Sequence, residues 1–132
     1  MKKIAIYGSS SMAGHILNKY FSLKDNYIVD CIDENKIFDK NYILRKDMAF
    51  SDSDYIINCV RCLVEESESN PTKAIVYNSY LPNLLYDHYN NSQTKIIHLS
   101  TDCVFSGEKG NYNEDSKHDG LSNYAKTKSL GE

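Results

Sequence analysis

Lys3-Ile-Ala-Ile-Tyr7 is an apolar run of strand length that stops at Gly8 and passes, through Ser9-Ser-Ser11, into a helix-patterned segment from Met12 to Phe21. A strand that turns through a glycine directly into a helix restricts the chain to few architectures, because parallel strands need a crossover connection of this kind. Four more apolar runs follow, Tyr27 to Ile32, Ile37 to Phe38, Tyr55 to Val60 and Lys95 to Leu99. They are continuous rather than alternating, the pattern of a parallel sheet covered by helices on both faces.

The segments between the runs read as helices. Ile16, Leu17, Tyr20 and Phe21 share one face of the first. Asn70-Pro71 reads as the cap and first residue of another, in which Ala74, Tyr77, Leu81, Leu84, Leu85 and His88 recur at helical spacing. Pro82 inside that pattern predicts a bend or a lost hydrogen bond. Residues 105–120 read as a long polar surface loop, and a new helix begins near Leu121. Alternation of strand and helix predicts an α/β fold over residues 1–132, a Rossmann-like doubly wound parallel sheet in three α/β/α layers, with ligands bound beyond the carboxyl ends of the strands.

Composition narrows the ligand. The 132 residues, 41% hydrophobic, suffice for one core. Net charge is −3 and no stripe of Lys or Arg stands out, which argues against nucleic acid or an anionic membrane as partner and for a small soluble ligand. The apolar N-terminal stretch ends at Gly8, too short for a signal-peptide core or a membrane span, so the chain reads as cytoplasmic. Cys59-Val-Arg-Cys62 is formally a C-x-x-C, yet Cys59 lies inside a strand run and Cys31 and Cys103 are isolated. The thiols therefore read as reduced and mostly buried, with no metal site.

Three constellations carry chemistry. Gly8-Ser-Ser-Ser-Met-Ala-Gly14 stands where a glycine loop cradles a pyrophosphate on helix N-terminal amides, with Ser11 in place of the middle glycine; a ligand-free β-to-α turn is the bland alternative. Asp33 ends the second run, where an acidic side chain binds the adenosine ribose and repels a 2′-phosphate, which leans toward NADH over NADPH; Asp33-Glu34-Asn35 also reads as a plain polar turn. Tyr124-Ala-Lys-Thr-Lys128 is a Y-x-x-x-K at the start of the last helix. Positions i and i+4 share a face, so the Lys128 ammonium can stabilise the phenolate of Tyr124 and let the phenol hand a proton to a carbonyl oxygen. Alone, that spacing is usually a solvated helix face. Ser100-Thr101-Asp102, at the exit of the Lys95 to Leu99 run, supplies Thr101 as a hydrogen-bond donor to the same oxygen, or merely as a turn hydroxyl.

With GSSSMAG, Ile57-Asn-Cys-Val60, Val64-Glu-Glu-Ser-Glu68 before Asn70-Pro71, Asn78-Ser79, Ser100-Thr-Asp-Cys-Val-Phe-Ser-Gly107, Tyr112-Asn-Glu-Asp115 and Asn123-Tyr-Ala-Lys-Thr-Lys-Ser-Leu-Gly-Glu132, the chain resembles the dTDP-4-dehydrorhamnose reductase family of extended short-chain dehydrogenases/reductases. The resemblance implies reduction of a 4-keto group on a nucleotide-linked deoxysugar by NADPH or NADH, in polysaccharide precursor synthesis. It implies Thr101, Tyr124 and Lys128 as the catalytic triad, with Lys128 also holding the nicotinamide ribose. On the cofactor side it implies Gly8, Ser11, Met12, Ala13, Gly14, Asp33, Asp39 near the adenine, and Cys59 and Val60 lining the cleft. A nucleotide sugar is the implied partner, and a homo-oligomer is compatible with it. Epimerases of the superfamily tend to carry Ser-Ser and Val-Tyr-Gly here, so Thr101-Asp102 and Val104-Phe105 favour a reductase. Cys103, Arg61 and Cys62 depart from the family's usual residues. Family members are about twice as long, so the later strands and the sugar-gripping lobe are expected to be missing and the last helix, cut short, to hold Tyr124 and Lys128 poorly. A silent dinucleotide-binding or partner-binding module is the competing reading, with a thiol-redox protein behind it.

Overall fold

The computed structural model describes all 132 residues and divides them into two compact units, residues 1–60 with 84–99 and residues 61–83 with 100–132. The first unit holds the whole sheet. Its strands β1 (Lys2–Tyr7), β2 (Tyr27–Ile32), β3 (Tyr55–Asn58) and β4 (Lys95–His98) are all parallel, in the order β2-β1-β3-β4. The order reverses at β1, which has β2 on one side and β3 on the other, so the loops leaving β1 and β3 part in opposite directions. In doubly wound sheets that switch point is where ligands sit. No helix is long and apolar enough to cross a membrane.

Burial follows strand position. The central strands bury Ile4 to Tyr7 and Ile56 to Asn58, whereas the edge strands β2 and β4 alternate between half-buried and exposed residues along most of their length. The sequence pattern of two covered faces therefore holds for the central pair only. Helix α1 (Met12–Ser22) lays Ala13, Leu17 and Phe21 against a cluster of Ile4, Ile6, Ile57 and Cys59. These residues recur every four positions and form the buried stripe. Ile16 and Tyr20, expected on that face, are 60% and 54% exposed, because the stripe starts at Ala13 and they fall outside it.

On the opposite face Tyr7 donates to the Ala49 carbonyl at 2.8 Å, where burial and the neighbouring Tyr89 hydroxyl raise its pKa and keep it protonated. Tyr89, in α6 (Leu81–Tyr89), in turn bonds both the N–H and the C=O of Ser51 at 2.8 Å, and the Phe50 ring stacks on His88 at 3.7 Å. The expected strand Ile37–Phe38 is absent from the sheet. Ile37 ends a one-turn helix α2 (Glu34–Ile37), and Phe38 makes an isolated antiparallel bridge to Leu44. Two apolar residues are too few for a strand, and both are used as buried plugs instead. Helix α3 (Lys46–Ala49) closes the β2–β3 connection.

The second unit contains α4 (Val64–Ser69), α5 (Pro71–Ala74), a π-helical turn (Ile75–Tyr80), a 3-10 turn (Asp102–Val104) and α7 (Asn123–Leu130). Asn70 caps α5 by accepting from Lys73 N–H, with Pro71 first in the helix, as the sequence predicts. The π turn is the structural answer to Pro82. Proline has no N–H and its ring would strike the carbonyl four residues back, that of Asn78. Upstream of it the hydrogen bonds lengthen by one residue, and Leu81 N–H reaches Val76 C=O.

Candidate active site

The glycine loop is shaped by two backbone constraints. Gly8 lies at φ +73, where a side chain is strained, and a Cβ there would stand 2.9 Å from Val60 N. A Cβ on Gly14 would run into the Gly8 carbonyl oxygen. The middle position differs. Ser11 has φ −67 and ψ 161, ordinary for any residue, and serves as the N-cap of α1, its Oγ accepting from Gly14 N at 3.1 Å. A glycine was never required there by the backbone. With Gly14 N capped by the serine and His15 N bonded to Ser11 O, the Met12 and Ala13 amides are the first-turn donors that an 11-residue helix leaves for a ligand. The loop thus fits a pyrophosphate, which would meet open amides, the Ser11 O–H and no side chain at either glycine.

Asp33 links β2 to α2. It sits at the N-cap of α2 yet makes no cap bond; its Oδ1 instead accepts from Ser9 Oγ at 2.7 Å and from Ser10 N at 3.0 Å. The Ser9 hydroxyl, with the Ser10 amide behind it, holds this carboxyl below the usual range, so Asp33 is a fixed anion. Asp39 is held the same way by the Ile43 and Asn41 amides, at 2.9 and 2.8 Å, and so braces the exposed 39–43 loop. Cys59 and Val60 are buried behind Gly8. The Cys59 side chain belongs to the core cluster with Ile4, Ile6 and Ile57, while Val60 N donates to Asn58 Oδ1 at 3.1 Å.

All four cysteines are free thiols. Cys59 and Cys62 are buried, Cys31 half-buried and Cys103 exposed. Burial pushes the Cys62 thiol up, which is the wrong direction for a thiol nucleophile.

Thr101, Tyr124 and Lys128 all fall in the second unit. Thr101 caps the 3-10 turn, Oγ1 accepting from Cys103 N at 3.2 Å, and its O–H stays available to donate. It lines a cavity of about 380 Å³ with Phe105, Tyr112, Glu114, His118 and Glu132. The Phe105 and Tyr112 rings stack at 4.6 Å, and His118 is held between Ser129 Oγ, 2.7 Å from Nδ1, and the Glu132 carboxylate, 3.4 Å from Nε2. Helix α7 starts at its N-cap Ser122, which accepts from Ala125 N, while Glu68 takes the Asn123 N–H. Tyr124 is 8% exposed and Lys128 1%. The spacing that usually marks a solvated face is here a buried one. Burial pushes the Lys128 ammonium down; Glu132 pulls it back up and Arg61 pushes it further down.

Sequence reasoning missed what holds α7 in place. Asn78 and Ser79, buried in the π turn, reach across to it. Asn78 Oδ1 accepts from Cys62 N at 2.8 Å while its Nδ2 donates to Cys62 O and Thr127 Oγ1, both at 3.1 Å; Ser79 Oγ donates to Thr127 O at 2.7 Å, and Asn83 Nδ2 donates to Leu130 O at 3.0 Å. The helix expected to be poorly held is tied down along its length. The available signal was Pro82, four residues after Asn78, which marks where the helix must change its hydrogen bonding. Ser9, which fixes Asp33, left no signal beyond its place in the loop.

Comparison with known proteins fits this arrangement. A family model described as RmlD substrate binding domain matches residues 1–132. The chain belongs to that family. Among solved structures it is similar to a dTDP-4-dehydrorhamnose reductase from Clostridium acetobutylicum, with 27% identity and a TM-score of 0.82 over 98% of this chain and 47% of that one. A dTDP-4-dehydrorhamnose reductase from Bacillus anthracis, solved in complex with NADP, shares 20% identity and a TM-score of 0.80 over 98% and 47% of the two chains. A UDP-glucuronic acid 4-epimerase from Bacillus cereus in complex with NAD has 19% identity and a TM-score of 0.76 over 98% and 50%, a likeness of fold. This RmlD-family chain spans about half the length of these proteins. None of the curated proteins compared with it matches.

Proposed function

We propose that the chain carries the cofactor loop and the reacting residues of an NAD(P)H-dependent reductase acting on the 4-keto group of a nucleotide-linked deoxysugar, in the making of polysaccharide precursors. The observation that carries this reading is that Thr101, Tyr124 and Lys128 fall in one compact unit, with Lys128 buried one turn beyond Tyr124. Family membership and the reductases among the structural relatives support it.

When bound, the nicotinamide supplies a hydride to the keto carbon. The Tyr124 phenol donates its proton to the carbonyl oxygen, and the Thr101 hydroxyl donates a hydrogen bond to the same oxygen and orients it. The Lys128 ammonium stabilises the phenolate left behind and hydrogen-bonds the nicotinamide ribose. Gly8 and Gly14 leave the space, and Met12, Ala13 and Ser11 the donors, for the pyrophosphate. The ionised Asp33 receives ribose hydroxyls and disfavours a 2′-phosphate, which leans the preference to NADH; Asp39 stands near the adenine, and Cys59 and Val60 form the floor behind Gly8.

Titration with NADH and NADPH, following nicotinamide fluorescence and the melting curve together, should give saturable binding and a raised melting temperature. Tyr124→Phe should keep that binding and lower reduction of dTDP-4-dehydrorhamnose by about 10²- to 10⁴-fold. Absence of dinucleotide binding to folded protein, or full turnover in Tyr124→Phe, sinks the reading. Oxidation of NADH in step with substrate separates a reductase from a 4-epimerase, which consumes none overall.

A further inference from the structure

The cavity that Thr101 lines has walls drawn from the second unit alone, and its aromatic side is a stacked pair. The Phe105 and Tyr112 rings stand 4.6 Å apart and 11° from parallel. The loop that carries them is closed by its own bonds. Asp119 accepts from Ser106 N at 2.7 Å and from Ser106 Oγ at 3.0 Å, and Gly120 N–H donates to Val104 O at 2.9 Å, so both ends of the excursion are pinned. Between those ends the Tyr112 hydroxyl accepts from Lys109 N at 3.1 Å. The wall is therefore organised before any ligand arrives, which lowers the ordering cost of binding.

The charged groups of the cavity are mostly acidic. Glu114 and Glu132 line it, no lysine or arginine does, and His118 stands against Glu132. Glu132 also takes the Ser100 hydroxyl. Glu114 is not engaged. It sits on a tight turn in which Asn113 Oδ1 accepts from Asp115 N and Asn113 O from Ser116 N, both at 3.0 Å, while its own carboxylate makes no hydrogen bond and no ion pair. An unengaged carboxylate is a strong acceptor for hydroxyl groups. Together with an aromatic face and the Thr101 hydroxyl it suits a sugar ring, which offers apolar C–H faces and a rim of hydroxyls.

We infer that this cavity selects the sugar of the ligand by charge: the ring lies against Phe105 and Tyr112, Glu114 accepts its hydroxyls, and neutral sugars enter while uronic acids are refused. The inference rests on the reductase reading in one respect, that Thr101 meets the keto oxygen, and it deepens that reading. The ring carbon next to the keto carbon carries the group that distinguishes the sugars, and that group enters the cavity with the oxygen. It is a methyl in a deoxysugar, a hydroxymethyl in a plain hexose and a carboxylate in a uronic acid. A methyl can pack on the rings and on Val104, whereas a carboxylate would join Glu114 and Glu132 with no lysine or arginine to offset it.

The test is calorimetric titration of the 132-residue chain with UDP, UDP-glucose and UDP-glucuronic acid, the wild type beside Glu114→Gln and Phe105→Leu. The two nucleotide sugars differ only in that one substituent. The wild type should hold UDP-glucose about tenfold more tightly than UDP-glucuronic acid, and added salt should narrow the gap. Glu114→Gln, which breaks no bond within the protein, should cut the gap to about threefold or less at an unaltered melting temperature. Phe105→Leu should weaken both sugars alike and leave UDP as it was, since the ring serves the face that all sugars share. Several results overturn the inference: no binding of either sugar, UDP held as tightly as UDP-glucose, no preference for the neutral sugar, or a gap that Glu114→Gln leaves unchanged. Failure of the reductase reading looks different. The preference then holds and moves with Glu114, while the chain oxidises no NADH in the presence of dTDP-4-dehydrorhamnose.

Discussion

The glycine loop of the first unit and the Tyr124–Lys128 helix of the second are both held firmly, by opposite means. The loop is shaped by what its backbone lacks. Gly8 and Gly14 have no Cβ where Val60 N and the Gly8 carbonyl leave no room for one, and the side-chain restraints are the Asp33 carboxylate, which accepts from Ser9 Oγ and Ser10 N, and the cap made by Ser11. Helix α7 is shaped by what other side chains add, through Asn78, Ser79 and Asn83. The lesson is that a missing atom can be seen in a sequence, whereas a hydrogen-bond network is spelled in residues that are common everywhere.

Asn78→Leu should break the second arrangement most severely. It leaves the Cys62 amide without its acceptor and the Thr127 hydroxyl without its donor, at about 1–3 kcal/mol for each orphaned buried group, so a loss of about 4 kcal/mol is expected in urea unfolding. Hydrogen exchange sharpens the point. Protection should fall over residues 61–83 and 100–132 and hold in β1 and β3; a uniform loss would show that the side-chain network is not what secures α7. Gly14→Ala should do the reverse, at about 3 kcal/mol, because the added methyl meets backbone that cannot yield without moving the β1 exit. Protection should then fall around β1 and α1 first.

That contrast explains how much was legible beforehand. Strand Lys2–Tyr7 came out of the apolar pattern almost to the residue, because a central parallel strand writes its burial as an unbroken run; the edge strand Tyr27–Ile32 and the bounds of α1 were legible too, though β2 is only partly buried. Ile37–Phe38 was misread because a two-residue apolar plug looks like a short strand. Ile16 and Tyr20 were misplaced because four apolar residues in the helix offer two overlapping stripes, and only packing chooses Leu17 and Phe21. Among the candidate site residues, Gly8, Gly14, Tyr124 and Lys128 were visible through spacing. The clamp on α7 was not, since Asn78, Ser79 and Thr127 act over 48 or 49 residues of separation, and the burial of Lys128 depends on contacts no local pattern records.

Lys128 tests whether function strains the second unit. Its ammonium has a lowered pKa because burial disfavours the charged form, with Arg61 adding to the effect. Between that lowered value and the unfolded value of 10.5 the unfolded chain binds more protons, so stability rises with pH through that window, and the cost of the buried charge is fully present below it. Lys128→Met removes the charge. It should be more stable than the wild type at pH 7 by about 1 kcal/mol, lose the lysine's share of the rise toward pH 10.5, and fail in turnover. A less stable Lys128→Met, in melts at several pH values, would mean that the ammonium contributes more bonding to the fold than its burial costs.

The smallest effect belongs to Ser11, and it decides how the loop should be understood. If the loop were governed throughout by missing atoms, Ser11→Gly would relieve crowding and improve dinucleotide binding. The structure points the other way, since Ser11 has an extended backbone that strains no side chain and its hydroxyl caps Gly14 N. Replacing a serine N-cap with glycine costs only a few tenths of a kcal/mol, so Ser11→Gly should lower the melting temperature slightly. Affinity for NADH should fall by no more than a few-fold, through loss of the hydroxyl donor to the pyrophosphate. Tighter binding in Ser11→Gly, measured by nicotinamide fluorescence, would show that the serine Cβ does crowd the ligand and that all three positions of the loop obey the steric rule that Gly8 and Gly14 follow.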